Sequence, residues 1–421
     1  MSRGCSVPIE TVRIRVLAPY QRILTLPGTL AFSSACFVAR MPLSMVSLGI
    51  VVLVSARSGS YGLAGGVAAA YIVANAGFAI VQGRLTDRLG QRVVLLGSIT
   101  VFAGALVGLM VVVELGWSAP WPHLLAALCG AGLPQVGSSV RARWTHVLSG
   151  RDDGAAQLHT AFSLEAVVDE AVFMFGPVVV TVLATTVSPL AGLGSALAFG
   201  VVGTCLLAAQ RATAPPVHAH PHGTGARPAL GWRLLLPVSM AGAALGAVFG
   251  AVELVTVAFA RNEGHAAAAG WLLAVWSASS MASGLLYGVV AWRASHRTRL
   301  RLGMAVLGLS LLPLPFVSGL LLLGVVLFVS GFAISPTLVS MMSLVEASVP
   351  ASRLTEGIAW VSTGLSAGIA PGAAVAGWVV DGWGTASGYV VALVAGLVGI
   401  AVTLATPAQT RRGAVTQLSA D

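Results

Sequence analysis

Between Gly28 and Thr406 the chain repeats one feature: apolar runs of twenty or more residues, parted by short stretches of arginine, glycine and proline. A run of that length, wound as helix at about 1.5 Å per residue, crosses a hydrocarbon layer roughly 30 Å thick. Backbone in lipid must satisfy its own hydrogen bonds, so such runs become either a helical bundle or a closed barrel. The alternation of barrel strands is missing here. Charged residues make up 9% of 421 positions and hydrophobic residues 57%, whereas soluble domains carry roughly 25% charge. No water-soluble fold covers that much apolar surface, so the chain reads as an all-α membrane protein with the lipid bilayer as its first partner.

Charges and turn residues divide the first half into spans near 29–54, 61–82, 93–114, 120–141, 158–185 and 189–209. The second half follows with spans near 233–259, 267–291, 302–318, 320–343, 357–380 and 385–406. Arg301 and Glu346 enclose 44 uncharged residues, enough for two crossings of about 20 each. The break between them is expected around Pro313, Pro315 and Ser318-Gly319, where helix continues poorly. Residues 1–211 thus form an N-terminal six-helix half and 233–421 a C-terminal one. Between them, 212–232 is a linker rich in proline, glycine and histidine. His218, His220 and His222 alternate within it, but so pliant a segment organises ligands badly, and no metal site is expected. The first apolar run is too long for a signal peptide's core and is read as a retained span.

The net charge of +9 comes from 23 basic residues, all of them arginine. With both termini inside, 20 of the 23 fall on the cytoplasmic side, Arg57 and Arg261 fall outside, and Arg40 lies within a span. That asymmetry reports orientation, not a nucleic acid partner. It implies a multi-pass protein of a bacterial-type cytoplasmic membrane with both termini cytoplasmic. Cys5, Cys36, Cys129 and Cys205 have no metal-type spacing and read as small buried hydrophobes.

Between spans two and three runs Gly83-Arg84-Leu85-Thr86-Asp87-Arg88-Leu89-Gly90-Gln91-Arg92. It resembles the loop signature of the major facilitator superfamily, G-x-L-x-D-R-x-G-R-K, with Gln91 where the pattern prefers arginine. The resemblance, with twelve spans in two halves and a central linker, covers essentially the whole chain. It implies a major facilitator fold of two six-helix pseudo-repeats around a midplane cavity. It also implies that Gly83, Asp87, Arg88, Gly90 and Arg92 act as a latch holding the halves together on the cytoplasmic side. A plain topology-setting loop is the other reading. After span eight, Gly288 and Arg293 echo Gly83 and Arg88, but Trp292 stands where the acid would be. Gly132, Pro134 and Arg151 around span four have rough counterparts in Gly331, Pro336 and Arg353 around span ten.

Span five holds Glu165, Asp169 and Glu170. An ionised carboxylate at mid-bilayer costs about 2.5–3.5 kcal/mol on insertion scales, so such groups face a cavity or a partner. At 100° per residue Glu165, Asp169 and Gly176 share one face, within about 40°, and Glu170 points to the side. Arg40 lies at matching depth in span one. It is expected to pair with Asp169 or Glu170, either as a bridge broken during proton transfer or as a permanent strut. Gly176-Pro177 reads as a hinge and resembles the core of the family's antiporter signature, although Val178, Val179 and Val180 stand where a glycine pair is expected. Glu253, alone in span seven, is read either as a recognition site for a cationic substrate or as a packing group. Asn75 reads as an interhelical hydrogen bond. Glycines at 242, 246 and 250 and at 364, 368 and 372 permit close helix contact.

Gly364-Leu365-Ser366-Ala367-Gly368 matches a hydrolase nucleophile pattern, which requires a strand-to-helix turn. In an apolar helix it is not expected to be catalytic, so the chain is not read as an enzyme. The expectation is a transporter, acting as a monomer without cofactor and driven by a proton gradient, that exports a small amphipathic molecule such as a drug or secondary metabolite by antiport. Uptake of a small metabolite by symport or facilitated diffusion is the alternative. A transport-inactive sensor or partner-binding protein is a third reading.

Overall fold

A computed structural model describes residues 9–59, 61–118, 120–217, 230–265 and 268–406. Among these the chain is helical almost throughout. The first half comprises α1 (Ile9–Leu24), α2 (Thr29–Ser58), α3 (Tyr61–Leu89), α4 (Gln91–Glu114), α5 (Trp121–Gly132), α6 (Val136–Leu148), α7 (Gly154–Thr186) and α8 (Pro189–Ala209). The second comprises α9 (Trp232–Asn262), α10 (Ala268–Tyr287), α11 (His296–Ser310), α12 (Leu320–Gly331), α13 (Ile334–Glu346) and α14 (Leu354–Leu404). Among the described residues ten segments are long and apolar enough to cross a membrane. Helix α14 has 51 residues, or ~77 Å if straight, far beyond one crossing. Gly384 interrupts it with φ 82° and ψ 173°, a backbone conformation open to glycine. The interruption falls between the expected spans eleven and twelve.

Span four departs from expectation. It continues past residue 141 to Leu148 and is cut into α5 and α6 after Gly132. Pro134 supplies no N–H to continue the helix, and a Cβ on Gly132 would lie 2.6 Å from the Phe102 amide nitrogen. The cut recurs in the second half, where α12 ends at Gly331 and α13 begins at Ile334. The expected likeness between spans four and ten is thus one of backbone shape. Span eight ends at Tyr287 rather than 291, and α11 starts earlier than expected, at His296, capped by Ser295 Oγ accepting from the Thr298 amide at 3.2 Å. The break beyond α11 carries Pro313, Pro315 and Gly319, as expected.

Cys36 and Cys129 are buried, but Cys205 is exposed on α8. The outer surface of this bundle faces lipid, so an apolar thiol needs no burial there. Cys5, His218, His220 and His222 lie outside the described residues.

The glycine rows on α9 and α14 interlock. Gly246 and Gly250 sit against the carbonyls of Leu365 and Ile369, and Gly364, Gly368 and Gly372 against those of Ser239, Ala243 and Ala247. In lipid no hydrophobic force drives helices together, so close backbone approach supplies the attraction. This interface belongs to one half and fixes its helices to each other. A side chain at Gly246 has no room, so Gly246→Val should cost roughly 1–3 kcal/mol, the usual penalty of overpacking. Gly65→Ala, with nothing within 4 Å of its added carbon, should be nearly neutral. Thermal unfolding of the two variants in detergent checks the contrast.

Candidate functional site

The break after Gly132 leaves backbone groups of span four without helical partners, and α3 meets them. Gln82 Nε2 donates to the carbonyls of Ala131 and Leu133 at 2.7 and 3.0 Å, and Gln82 Oε1 accepts from Ser98 Oγ at 3.0 Å. Gln135 Nε2 donates to Asn75 Oδ1 at 3.0 Å, the interhelical bond expected of Asn75. These contacts aim α6, and with it Arg141 and Trp144, at the interior of the first half.

There four charges gather. Arg40 of α2 is buried and pairs with both Glu165 and Asp169 of α7, the Asp169 contact being 2.7 Å. Arg141 of α6 reaches the other oxygen of Asp169 at 2.8 Å. Trp144 Nε1 donates to Glu165 Oε1 at 2.7 Å, and its ring stands edge-on to Phe32 with centroids 4.7 Å apart. Two arginines meet two carboxylates, so the group is neutral as a whole. Burying it is tolerable only because each ion is paired and hydrogen-bonded. Glu165 is fully buried, whereas the Asp169 side chain keeps 32% of its exposure.

Arg40 therefore pairs with Asp169, as expected, and with Glu165 in place of Glu170. The helical geometry explains this. Glu165, Asp169 and Gly176 share the face of α7 that meets α2, where a Cβ on Gly176 would strike Ser44. Glu170 lies on another face and accepts a hydrogen bond from Ser280 Oγ of α10, in the opposite half, at 2.6 Å. Ser280 is 3.0 Å from Ser335 Oγ of α13. Beside Gly176-Pro177, α7 runs on unbroken, and Ser44 Oγ donates to the Val172 carbonyl at 2.8 Å. Glu253 is exposed on α9, one turn beyond Phe249, whose ring meets Trp276 of α10 at right angles with centroids 5.5 Å apart.

A second polar group joins the halves near the linker. Asp87, in the last turn of α3, accepts hydrogen bonds from the backbone amides of Thr355 and Glu356 at 3.3 and 2.9 Å. Those amides open α14, so the carboxylate sits at the positive end of a helix in the other half. Arg84 pairs with Glu356 at 2.6 Å, and Arg353 with the other oxygen of Glu356 at 2.8 Å. Gly83 lets α14 approach, since a Cβ there would be 3.1 Å from Glu356 Cα. Gly90 starts α4 at φ 85°. Arg88 and Arg92 are exposed, and Arg84 makes the ion pair instead. Gln91, where the family pattern prefers arginine, accepts from Arg143 Nε at 2.7 Å and donates to the Ser139 carbonyl at 2.9 Å.

The related contact on the opposite side of the seam joins α7 to α10. A Cβ on Gly288 would strike Ser163 and the Tyr20 hydroxyl, just as one on Gly83 would crowd α14. His159 Nε2 lies 2.8 Å from the Tyr287 carbonyl, and Thr160 Oγ1 donates to the Gly288 carbonyl at 2.8 Å. Trp292 donates to the Tyr287 carbonyl at 3.2 Å, so this side of the seam is hydrogen-bonded without an aspartate in Trp292's place. The hydrogen bonds across the seam reach as deep as Thr363 Oγ1 to the Ala76 carbonyl, 3.2 Å, and Glu170 to Ser280.

Sequence reasoning missed Arg141, Trp144, Gln82, Ser280 and Glu356. Pro134 was the available signal for Arg141 and Trp144, because a broken span places its second piece deeper than a straight count suggests. Ser366 lies within α14, as expected, and not at a strand-to-helix turn.

The sequence profile of the Major Facilitator Superfamily matches residues 240–419. Among curated proteins, none matches the sequence. Solved structures match over nearly the whole chain. A bacterial homologue of the iron transporter ferroportin in its outward-facing state aligns with TM-score 0.71 and 12% identity, covering 90% of this chain and 99% of that one. The human organic anion transporter MFSD10 (TETRAN) aligns with TM-score 0.63 and 14% identity, covering 91% and 99%. The E. coli fucose:proton symporter FucP aligns with TM-score 0.66 and 14% identity, covering 90% and 99%. The fold of this chain is the major facilitator fold.

Removing one arginine from the neutral group strands a buried carboxylate, at a cost of roughly 3–5 kcal/mol. Arg40→Ala should be destabilised by that order, and Arg40→Ala with Glu165→Gln should recover most of it, because Arg141 and Asp169 then remain as a balanced pair. Denaturant unfolding of the single and double variants measures the coupling, and simple additivity of the two losses would contradict it.

Proposed function

We propose that the chain is a membrane transporter that moves a small amphipathic molecule by alternating access, and that it works as a proton-driven exporter. Asp169 is the observation that carries this reading. It is a mid-span carboxylate gripped by two arginines, yet 32% of its side chain stays open. Such an opening beside a paired carboxylate marks the water-lined cavity that a transport passage requires.

The arginine distribution puts the linker end in the cytoplasm. Asp87, Gly83 and Arg84 then close the passage on the cytoplasmic side, and the chain stands in an outward-facing state. The likeness in fold to the outward-facing ferroportin homologue, TM-score 0.71, agrees with this. Transport follows when one half rocks against the other, breaking the Asp87 contacts with α14 and the α7–α10 contacts together. The Phe249–Trp276 pair near Glu253 suits an apolar body with a cationic group. The resemblance of Gly176-Pro177 to the core of the family's antiporter signature favours export. Proton-coupled uptake is the second reading, favoured by the fold shared with a fucose:proton symporter.

The test is transport in proteoliposomes with an imposed pH gradient and a panel of amphipathic cations, anions and neutral compounds. The expected result is proton-coupled movement of a cationic amphiphile in the export direction, abolished by collapsing the gradient. Inward accumulation with protons would support the second reading. Transport indifferent to the gradient would contradict proton coupling.

A further inference from the structure

Glu165, Asp169 and Glu170 lie within six residues of α7, but their surroundings differ in kind. Glu165 and Asp169 belong to a group of two arginines and two carboxylates whose charges cancel. A proton added to either leaves a buried arginine without its counter-charge. Among the described residues Glu170 has no such partner: its hydrogen bond comes from a neutral hydroxyl, Ser280 Oγ at 2.6 Å. Among the described side chains, the elements packed against α7 supply no cation to it. Helices α8 and α10 carry no Asp, Glu, Arg or His, and α13 has only Glu346, at its last residue. On α2 the charged residues are Arg40, committed to Glu165 and Asp169, and Arg57, paired with Glu114 at 2.8 Å. On α6, Arg141 holds Asp169, and Arg143 is engaged by Gln91, Thr213 and the carbonyls of Leu207 and Gln210. The remaining titratable group there is His146, in the last turn of α6. Arg22 is exposed in the last turn of α1, and Tyr20 of that helix donates to the Leu285 carbonyl at 2.7 Å. On α7 itself the neighbour is Asp169, also an acid.

Position adds the second consideration. Asp169 and Glu165 bond within their own half, so their contacts survive a rigid rocking of the halves. Glu170 bonds across the seam, to a serine that itself touches Ser335 at 3.0 Å. When the linker end opens, α10 withdraws Ser280 and the carboxylate loses its donor.

We infer that Glu170 is the residue that carries the coupled proton, and that the Arg40–Glu165–Asp169–Arg141 group is a fixed strut beside it. This rests on the proton-coupled reading above and names its site. A proton from water on the open side binds a Glu170 carboxylate oxygen, and the neutral acid lets the seam part without exposing an unpaired charge to apolar surroundings. After the passage opens at the linker end, the same proton leaves to water there. The covalent frame is unchanged, and one proton enters and one leaves per cycle.

The experiment reads conformation directly and needs no substrate. Spin labels at Val187→Cys and Trp383→Cys, exposed positions near the far ends of the two halves, in a full chain otherwise free of cysteine, report their separation in lipid nanodiscs as pH is varied. The expected result is a pH-dependent shift between two distance populations. Glu170→Gln should hold the low-pH distribution at every pH, and Glu170→Asp, which keeps the acid, should restore the shift. Infrared difference spectra between low and high pH give a second readout, independent of the labels: a protonated-carboxyl band that Glu170→Gln removes. An undiminished pH shift in Glu170→Gln, or a band that persists there and vanishes in Asp169→Asn, would overturn the assignment and leave proton coupling standing. A wild-type chain whose distances and spectra ignore pH would overturn both.

Discussion

A charge within a lipid-immersed bundle must be met by an opposite charge, by hydrogen bonds or by water, and the first half of this protein is arranged around that requirement. Arg40, Arg141, Glu165 and Asp169 come from three helices, and each holds the others in place. The same backbone break recurs between α12 and α13; after Gly132 it is put to use for this group. It turns α6 inward, and Gln82 and Gln135 absorb the polar groups that the break exposes.

The seam between the halves follows a different rule. Its contacts use backbone as much as side chain: Asp87 on two amides of α14, Thr160 on the Gly288 carbonyl, His159 beside the Tyr287 carbonyl. Such bonds form at full strength in one arrangement and are released together when a helix end moves away. Ridges of small residues play the opposite part within the second half, where the glycines of α9 and α14 pack against each other's carbonyls with no room to spare. Rigid halves and a breakable seam are what alternating access requires.

Much of this was legible in the sequence. Apolar run length fixes the class, since lipid thickness leaves little choice. The glycine-flanked motif singled out Asp87, but as part of a loop after residue 82; α3 runs on to Leu89 and carries it in its last turn, and nothing local to Asp87 says that α14 begins beside it. For Arg40 the depth match with α7 found the right helix, and the 100° rule separated Glu170 from its neighbours. The choice of Glu165 as second partner needed the rotation of α2, which one sequence leaves open. Ending span four at 141 hid the role of Arg141, which the break at Pro134 and the continuation to Leu148 place inside α6. Cys205 shows the remaining difficulty: in lipid, apolar residues face both ways, and hydrophobicity does not separate core from surface.

The central claim is that one passage opens to either side in turn, with the Asp87 contact holding the linker end shut. A single cysteine at Thr363, the deep end of the α3–α14 seam, in a chain otherwise free of cysteine, tests it with a membrane-impermeant thiol reagent applied from each side. The account predicts reaction from the far side in the latched chain, and a gain of reaction from the linker side when Asp87→Ala releases α14. Labelling confined to one side whether or not Asp87 is present would contradict it.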